Sequence, residues 1–227
     1  MSRSLTNSLS QVIKRGEIME DLGRLLRHPD DGVRSKCCNL IGNLCRHDSS
    51  FYDDLKKTVR VGGGGEVTIL TQLIDRCIDN DGKTRKFACF AVGNAAFHSA
   101  ALYDSLRTAI PYLVEGLKDK DDKTRANAAG ALGNLVRNGG QLAEELVFHK
   151  VGKDLLELAR GDQMENPRRI SLFSLGTLAV YSLCRREIVA GGVAEVLVEL
   201  RDGCKDDAVT VKYLERLKTK LKSSCVG

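Results

Sequence analysis

The sequence has no tryptophan, only three prolines and few aromatic residues of any kind, 5% in all. Strands draw on β-branched and aromatic residues. Runs of these are scarce, so a sheet-based architecture is excluded. No apolar stretch approaches the roughly 18 residues a membrane helix needs. The opening MSRSLTNSLSQVIKRG has no apolar core of the kind a secretory signal carries. An excess of one charge is missing too. The net charge of +5, from 35 basic and 30 acidic residues, allows an acidic partner but lacks the concentrated basic stripe of a nucleic-acid binder. There is no Cys-x-x-Cys pair, and GGGG is not followed by the Lys-Ser/Thr of a phosphate loop.

What remains is rich in Leu, Ala and charged residues of both signs, the composition of an all-helical chain. The cysteines number 8. Cys37, Cys38, Cys45, Cys77, Cys89 and Cys184 sit among apolar helical residues. They read as reduced core thiols of an intracellular, cytoplasmic protein.

The stretch ANAAGALGNL (126–135) recurs. Four segments align without gaps: DGVRSKCCNLIGNLCRH, DGKTRKFACFAVGNAAFH, DDKTRANAAGALGNLVRN and ENPRRISLFSLGTLAVYS. In each, an arginine precedes a polar landmark: Arg34 and Asn43, Arg85 and Asn94, Arg125 and Asn134, Arg168 and Thr177. The landmarks lie roughly 40–50 residues apart, close to the period of about 40–47 in armadillo and HEAT arrays. The longer first interval holds VGGGGE (61–66), expected to be a loop insertion between helices. A weaker fifth copy puts Thr219 at the landmark. Each unit is predicted to hold two short helices and a longer third. Pro111 suits the first turn of a second helix. Asp30, Asp31, Asp81, Asp121, Asp122, Asp206 and Asp207 suit the N-terminal ends of third helices. In the fourth copy Asn166-Pro167 is expected to start the helix instead.

Five, two and minus-one residues before the landmark, the third helix is apolar: Cys38, Ile41, Leu44; Cys89, Val92, Ala95; Ala129, Leu132, Leu135; Leu172, Leu175, Leu178. That spacing lines one helix face and predicts a stacked core. The residue just before the landmark is always glycine: Gly42, Gly93, Gly133, Gly176. Each costs about 1 kcal/mol against alanine in a helix, so close approach of a neighbouring helix is expected there. The landmarks lie off the apolar face. A row of amides could bond an extended peptide backbone. It could equally bond the backbone of the adjacent repeat, and both readings stand.

These residues, with IPYLVEGL (110–117) before them, resemble the armadillo repeat over residues 17–222. The fold expected is an all-α, right-handed armadillo/HEAT-type solenoid of about five repeats. Residues 1–16 form a partly ordered N-terminal segment and 223–227 a tail. The stretch from Lys83 to Asn138, with NLCRHDSSFYDDL and LIDRCIDND, is more closely similar to the C-terminal armadillo region of the Fused family of serine/threonine protein kinases. That resemblance implies a regulatory or targeting region acting in Hedgehog signalling, in building motile-cilium axonemes or in cytokinesis, beside kinesin-like motors. The kinase signatures themselves are missing from this sequence, so no catalysis is expected. A free-standing armadillo adaptor or transport receptor is the alternative. The nuclear-import receptors share the asparagine row but place tryptophan four residues before it. Here those positions are Asn39, Phe90, Gly130 and Phe173, which speaks against import cargo.

The candidate partner-binding residues are therefore Asn43, Asn94, Asn134, Thr177, Phe90, Phe173, Lys86, Arg169, Arg46 and Arg137. None is acidic, so the predicted groove favours an acidic segment of a partner protein, such as a kinesin-like motor or signalling protein. The opposing reading for Arg46 and Arg137 is ordinary cations near helix C-termini. No cofactor, metal or membrane is expected. A zinc site from Cys45, His47 and a distant ligand is a minor rival. Nucleic-acid contact through the tail KYLERLKTKLKSS is another. There Leu214, Leu217 and Leu221 are expected to cap the stack, leaving Lys212, Arg216, Lys218, Lys220 and Lys222 in solvent.

Overall fold

The computed structural model describes residues 18–60, 65–203 and 207–223. Residues 1–17, 61–64, 204–206 and 224–227 lie outside the described residues, and with them the expected N-terminal segment, most of the insertion loop, most of the tail and Asp206. Helices α1 (Ile18–Leu25) and α2 (Asp31–Leu44) come first, followed by α3 (Tyr52–Leu55). Strands β1 (Thr58–Arg60) and β2 (Glu66–Thr68) then pair antiparallel, with Val59 opposite Val67. Next are α4 (Ile69–Asp75), continued by a 3-10 turn, and α5 (Gly82–Ala95). The third set is α6 (Tyr103–Leu106), α7 (Ile110–Gly116) and α8 (Asp122–Asn134). The fourth is α9 (Ala143–Phe148), α10 (Val151–Gly161) and α11 (Glu165–Leu178). The last is α12 (Ser182–Ala190), α13 (Val193–Gly203) and α14 (Ala208–Lys222).

Residues 61–64 of the expected glycine loop lie outside the described residues, and the segments on either side of them pair as short strands. Val59 is buried against Gly23 of α1, where an added Cβ would come 2.6 Å from the valine methyl. This packing explains why an inserted segment takes strand geometry in a helical chain.

The third helices α2, α5, α8, α11 and α14 stack each upon the next, with second helices packed alongside. All twelve apolar positions read from the sequence are buried in one continuous cluster. Pro111 lies in the first turn of α7. Aspartate side chains cap four of the third helices. Asp30 accepts from Val33 N at 3.1 Å, Asp81 from Thr84 N at 2.8 Å, Asp121 from Thr124 N at 2.9 Å and Asp207 from Thr210 N at 3.1 Å. The fourth departs from expectation. α11 starts at Glu165, its cap is Met164 with no side-chain bond, and Pro167 is buried in the first turn. Asp162 Oδ1 accepts from Met164 N at 2.9 Å and fixes the turn before Asn166 is reached.

Two devices hold one repeat to the next. The first is glycine's missing side chain. A Cβ on Gly133 would lie 2.7 Å from Ser174 Cβ and 3.0 Å from its Cα, and one on Gly93 would lie 3.3 Å from Ala131 Cβ. The second is a row of ion pairs: Arg34–Asp79, Arg85–Asp119, Arg125–Asp162 and Arg169–Asp207. Arg34 holds Asp79 through Nε and Nη2, both at 2.9 Å, while its Nη1 donates to the carbonyls of His28 and Pro29. Arg125 does the same with Asp162 and the carbonyls of Asp119 and Lys120. Burial opposes ionisation of Asp79, Asp119 and Asp162. The arginine bond and a backbone N–H outweigh it and hold each carboxyl below its usual range. For Asp207 the bond from Arg169 is itself the largest influence, again downward.

Gly133→Ala therefore lowers stability by about 1–3 kcal/mol through overpacking, despite alanine's better helix propensity. Gly161→Ala, where a Cβ meets nothing within 4 Å, is neutral or slightly stabilising. Paired thermal melts of the two variants check this. The depressed aspartate pKa values contribute stability that is fully present above the unfolded value of about 3.9 and is lost as pH falls through the folded values. Melting temperature should fall below about pH 4. Arg125→Gln should cost about 3 kcal/mol at neutral pH by stranding Asp162, and should make that acid decline shallower.

Candidate functional site

The row of third helices presents one face built from the landmark residues and their neighbours. At the C-terminal end of a helix the last carbonyls have no partner within the helix. In α2 and α5 these carbonyls are met by the following repeat. Asn94 Nδ2 donates to Gly42 O at 2.9 Å, and Asn134 Nδ2 donates to Gly93 O at 3.0 Å. The two amides therefore bond the adjacent repeat's backbone, one of the two readings left open by the sequence. Both residues are half-buried. Their Oδ1 atoms make no hydrogen bond to the described residues. Asn43 is exposed, and its amide turns back to Asn39 O at 2.9 Å. Thr177 Oγ1 donates to Phe173 O at 3.3 Å and accepts from Arg216 Nη2 at 3.1 Å.

First-helix tyrosines complete these helix ends. Tyr52 Oη donates to Asn94 O at 2.8 Å and accepts from His98 N. Tyr103 Oη donates to Asn134 O and accepts from Asn138 N at 3.1 Å. His98 Nε2 lies 2.9 Å from Arg46 O, and Asn138 Nδ2 donates to Phe97 O at 3.0 Å. Burial pushes the Tyr52 hydroxyl up to about 12, so it stays protonated as a donor. The equivalent tyrosines of FYDDL and LYDSL were the signal available in the sequence.

The aromatic and cationic candidates separate into two groups. Phe90, half-buried, fills the space above Gly42, where a Cβ would come 2.5 Å from its ring. Phe173 meets Tyr213 edge-on, with centroids 5.4 Å apart. Arg137 lies exposed over the Phe97 ring at 4.2 Å, and Arg46 is exposed at the end of α2. Lys86 Nζ sits 5.1 Å from the Phe87 ring centre. Arg169 does not belong with them. It is committed to Asp207 and Glu165: in α11 the arginine one residue later than in the other copies takes the ion-pair position. Ser35 and Ala126, which share that helix position, are buried. Arg216, expected in solvent, instead lies over Phe173 at 4.4 Å and donates Nη1 to Phe173 O. Burial, and then the charge of Arg137, lower its pKa.

The six described cysteines are free and buried. Burial pushes Cys37, Cys45 and Cys184 up to about 12 and Cys38 higher still. Among the described residues no group of three or more His, Cys, Asp or Glu side chains could hold a metal, and no helix is long and apolar enough to cross a membrane.

Comparison with known proteins fits this geometry. The HEAT-like repeat family matches residues 82–135. A designed armadillo repeat protein superposes with a TM-score of 0.79 at 18% identity, over 93% of this chain and 85% of that one. A second, in complex with the peptide (KR)4, gives 0.81 at 16%, again over 93% and 85%. The chain is an armadillo/HEAT-type repeat solenoid. Its sequence is 34% identical over 187 residues to serine/threonine-protein kinase 36 of Pongo abelii, and 33% identical to that of Mus musculus. The similarity covers 82% of the solenoid chain and 14% and 13% of those kinases, in keeping with the resemblance to the Fused family. The chain therefore spans about one seventh of the length of the curated relatives it matches.

Asn134→Ala should strand the Gly93 carbonyl and lower stability by about 1–2 kcal/mol, read as a shifted melting midpoint. Asn43→Ala, which touches only its own helix, should shift it by less than about 0.5 kcal/mol.

Proposed function

We propose that the solenoid is a non-catalytic interaction module that binds an extended acidic segment of a partner protein along its third-helix face. It would serve as the regulatory or targeting region of a Fused-like kinase. Asn94, Asn134 and Thr177 form the floor, with the free Oδ1 atoms of the two amides as acceptors. Phe90 and Phe173 supply apolar contact, and Arg46, Lys86 and Arg137 supply charge. A kinesin-like motor or signalling protein, at a cilium or on microtubules in the cytoplasm, is the partner class the family resemblance implies.

One observation carries this reading. Arg46 and Arg137 are exposed cations with no carboxylate partner among the described residues, while Arg34, Arg85, Arg125 and Arg169 each hold an aspartate. The designed armadillo repeat protein of similar fold is in complex with the charged peptide (KR)4. The cations here call for the opposite sign.

The test compares labelled peptides of about 12 residues, one alternating Glu and Ala and one alternating Lys and Ala. The acidic peptide should bind at least about tenfold tighter, weaken as salt rises, and lose affinity with Phe173→Ala. Equal affinity for both peptides would sink the reading.

A further inference from the structure

The second helices of the last two repeats are near copies. VGKDLLELARG of α10 aligns with VAEVLVELRDG of α13, so Gly152, Leu155, Leu156 and Ala159 correspond to Ala194, Leu197, Val198 and Arg201. All four are buried in α10. Helix α12 and the turn after it cover two of them. A Cβ on Gly152 would come 2.9 Å from Ile188 Cγ1, and one on Gly191 would come 3.0 Å from Leu156 Cδ1. Glu187 of α12 accepts from Gly152 N at 3.2 Å and from Lys153 N at 3.1 Å, closing the N-terminus of α10. The same face of α13 is open. Leu156 is 2% exposed, whereas Val198 is 54% exposed. Ala194 and Arg201 are exposed and Leu197 is half-buried. The N–H groups of Ala194 and Glu195 bond to none of the described residues. A groove of about 270 Å³ results, with Ala194, Leu197 and Val198 of α13 facing Val211 and Leu214 of α14. It is smaller than the roughly 300–1,000 Å³ of small-molecule sites, and suits the side chains of a docked helix. Another third helix at the usual spacing would meet Lys218. That lysine stands at the crossing position held by Gly42, Gly93, Gly133 and Gly176, with its Nζ 3.6 Å from Glu215 Oε1.

We propose that this groove docks an amphipathic helix of a partner protein, built as α12 is, with a glutamate directly before a branched aliphatic residue. The repeat before shows what such a surface takes. There Ile188 and Cys184, four residues apart, are the buried stripe of α12, and Glu187 supplies the carboxylate. In the open groove the aliphatic stripe packs on Leu197, Val198, Val211 and Leu214, the usual mode of a helix in an apolar groove. The glutamate meets the free N–H groups of Ala194 and Glu195, at the positive end of α13. Ala194 carries a methyl that Gly152 lacks, so the visiting helix sits slightly farther out than α12 does, a difference a glutamate side chain spans. Arg201 and Lys218 outnumber Glu215 among the lining charges, which also favours an acidic helix. None of these residues belongs to the proposed third-helix face, so the two readings stand or fall separately.

The test uses the molecule's own α12 as the ligand: a peptide of residues 181–192 carrying Cys184→Ala, titrated into the 227-residue protein with labelled Leu and Val methyl groups. The methyl signals of Leu197, Val198, Val211 and Leu214 should shift saturably. The same peptide with Glu187→Lys should bind at least about fivefold more weakly, since its charge then opposes the helix end. Val198→Glu, at an exposed position, puts a charge in the apolar contact. It should weaken binding at least about tenfold and leave the melting temperature unchanged. The peptide comparison is made on the unaltered protein, so it decides even where that variant unfolds. Absence of saturable shifts overturns the proposal, as do equal affinities of the two peptides. Shifts largest at Leu155 and Leu156 also overturn it, since the peptide would then be displacing α12 itself. Shifts of the four groove residues on concentrating the protein alone, with a dimer in sedimentation velocity, assign the groove to a second copy and overturn the partner helix.

Discussion

The approach of one third helix to the next depends on a methyl group that is not there. Gly133 lets Ser174 come so close that even a Cβ would press on its backbone, and Gly42 does the same for Phe90 and Ala91. That proximity puts the landmark amide within reach of the preceding helix's carbonyl, as in Asn94 to Gly42 and Asn134 to Gly93. It also lets Ser174 Oγ donate to Ala129 O at 2.8 Å. Glycine and asparagine are poor helix formers taken singly. Placed side by side, they convert a propensity loss into a spacing rule that brings each third helix within reach of the next one's amide.

The periodic part of this design was legible in the sequence. Burial of the apolar triplets, glycine at the crossing and aspartate at most caps follow from side-chain size and helix geometry, which act locally. What was not legible depended on small shifts. The gapless alignment puts Arg169 on the face, yet in the fourth copy it is Arg169, and not the aligned Arg168, that turns to Asp207. Arg216 was read as one lysine-like charge in a basic tail. Only the packing of α14 on α11 shows that it reaches Phe173. The hairpin escaped because each strand is only three residues long, and the burial of Val59 beside Gly23 joins residues far apart in sequence.

The asparagine row shows how one residue type can serve two ends. The amide nitrogens of Asn94 and Asn134 are committed to holding repeats together, and their amide oxygens are not. On the reading proposed above, those oxygens are the acceptors for a visiting chain. Tyr52 and Tyr103 strengthen this by closing the helix ends beneath the face. The arginines stacked on Phe97 and Phe173 add fixed charge to a floor that is otherwise neutral.

The ion-pair row has a consequence for how the molecule comes apart. Each rung joins a repeat only to its successor, so the array behaves as a chain of nearest-neighbour links. Losing Arg34–Asp79 or Arg169–Asp207 would release one end, which can fray while the rest persists. Losing Arg85–Asp119 or Arg125–Asp162 would weaken the coupling near the middle of the array. Cooperativity in this solenoid is therefore a property of position along the row, and the two middle rungs carry more of it than the end ones.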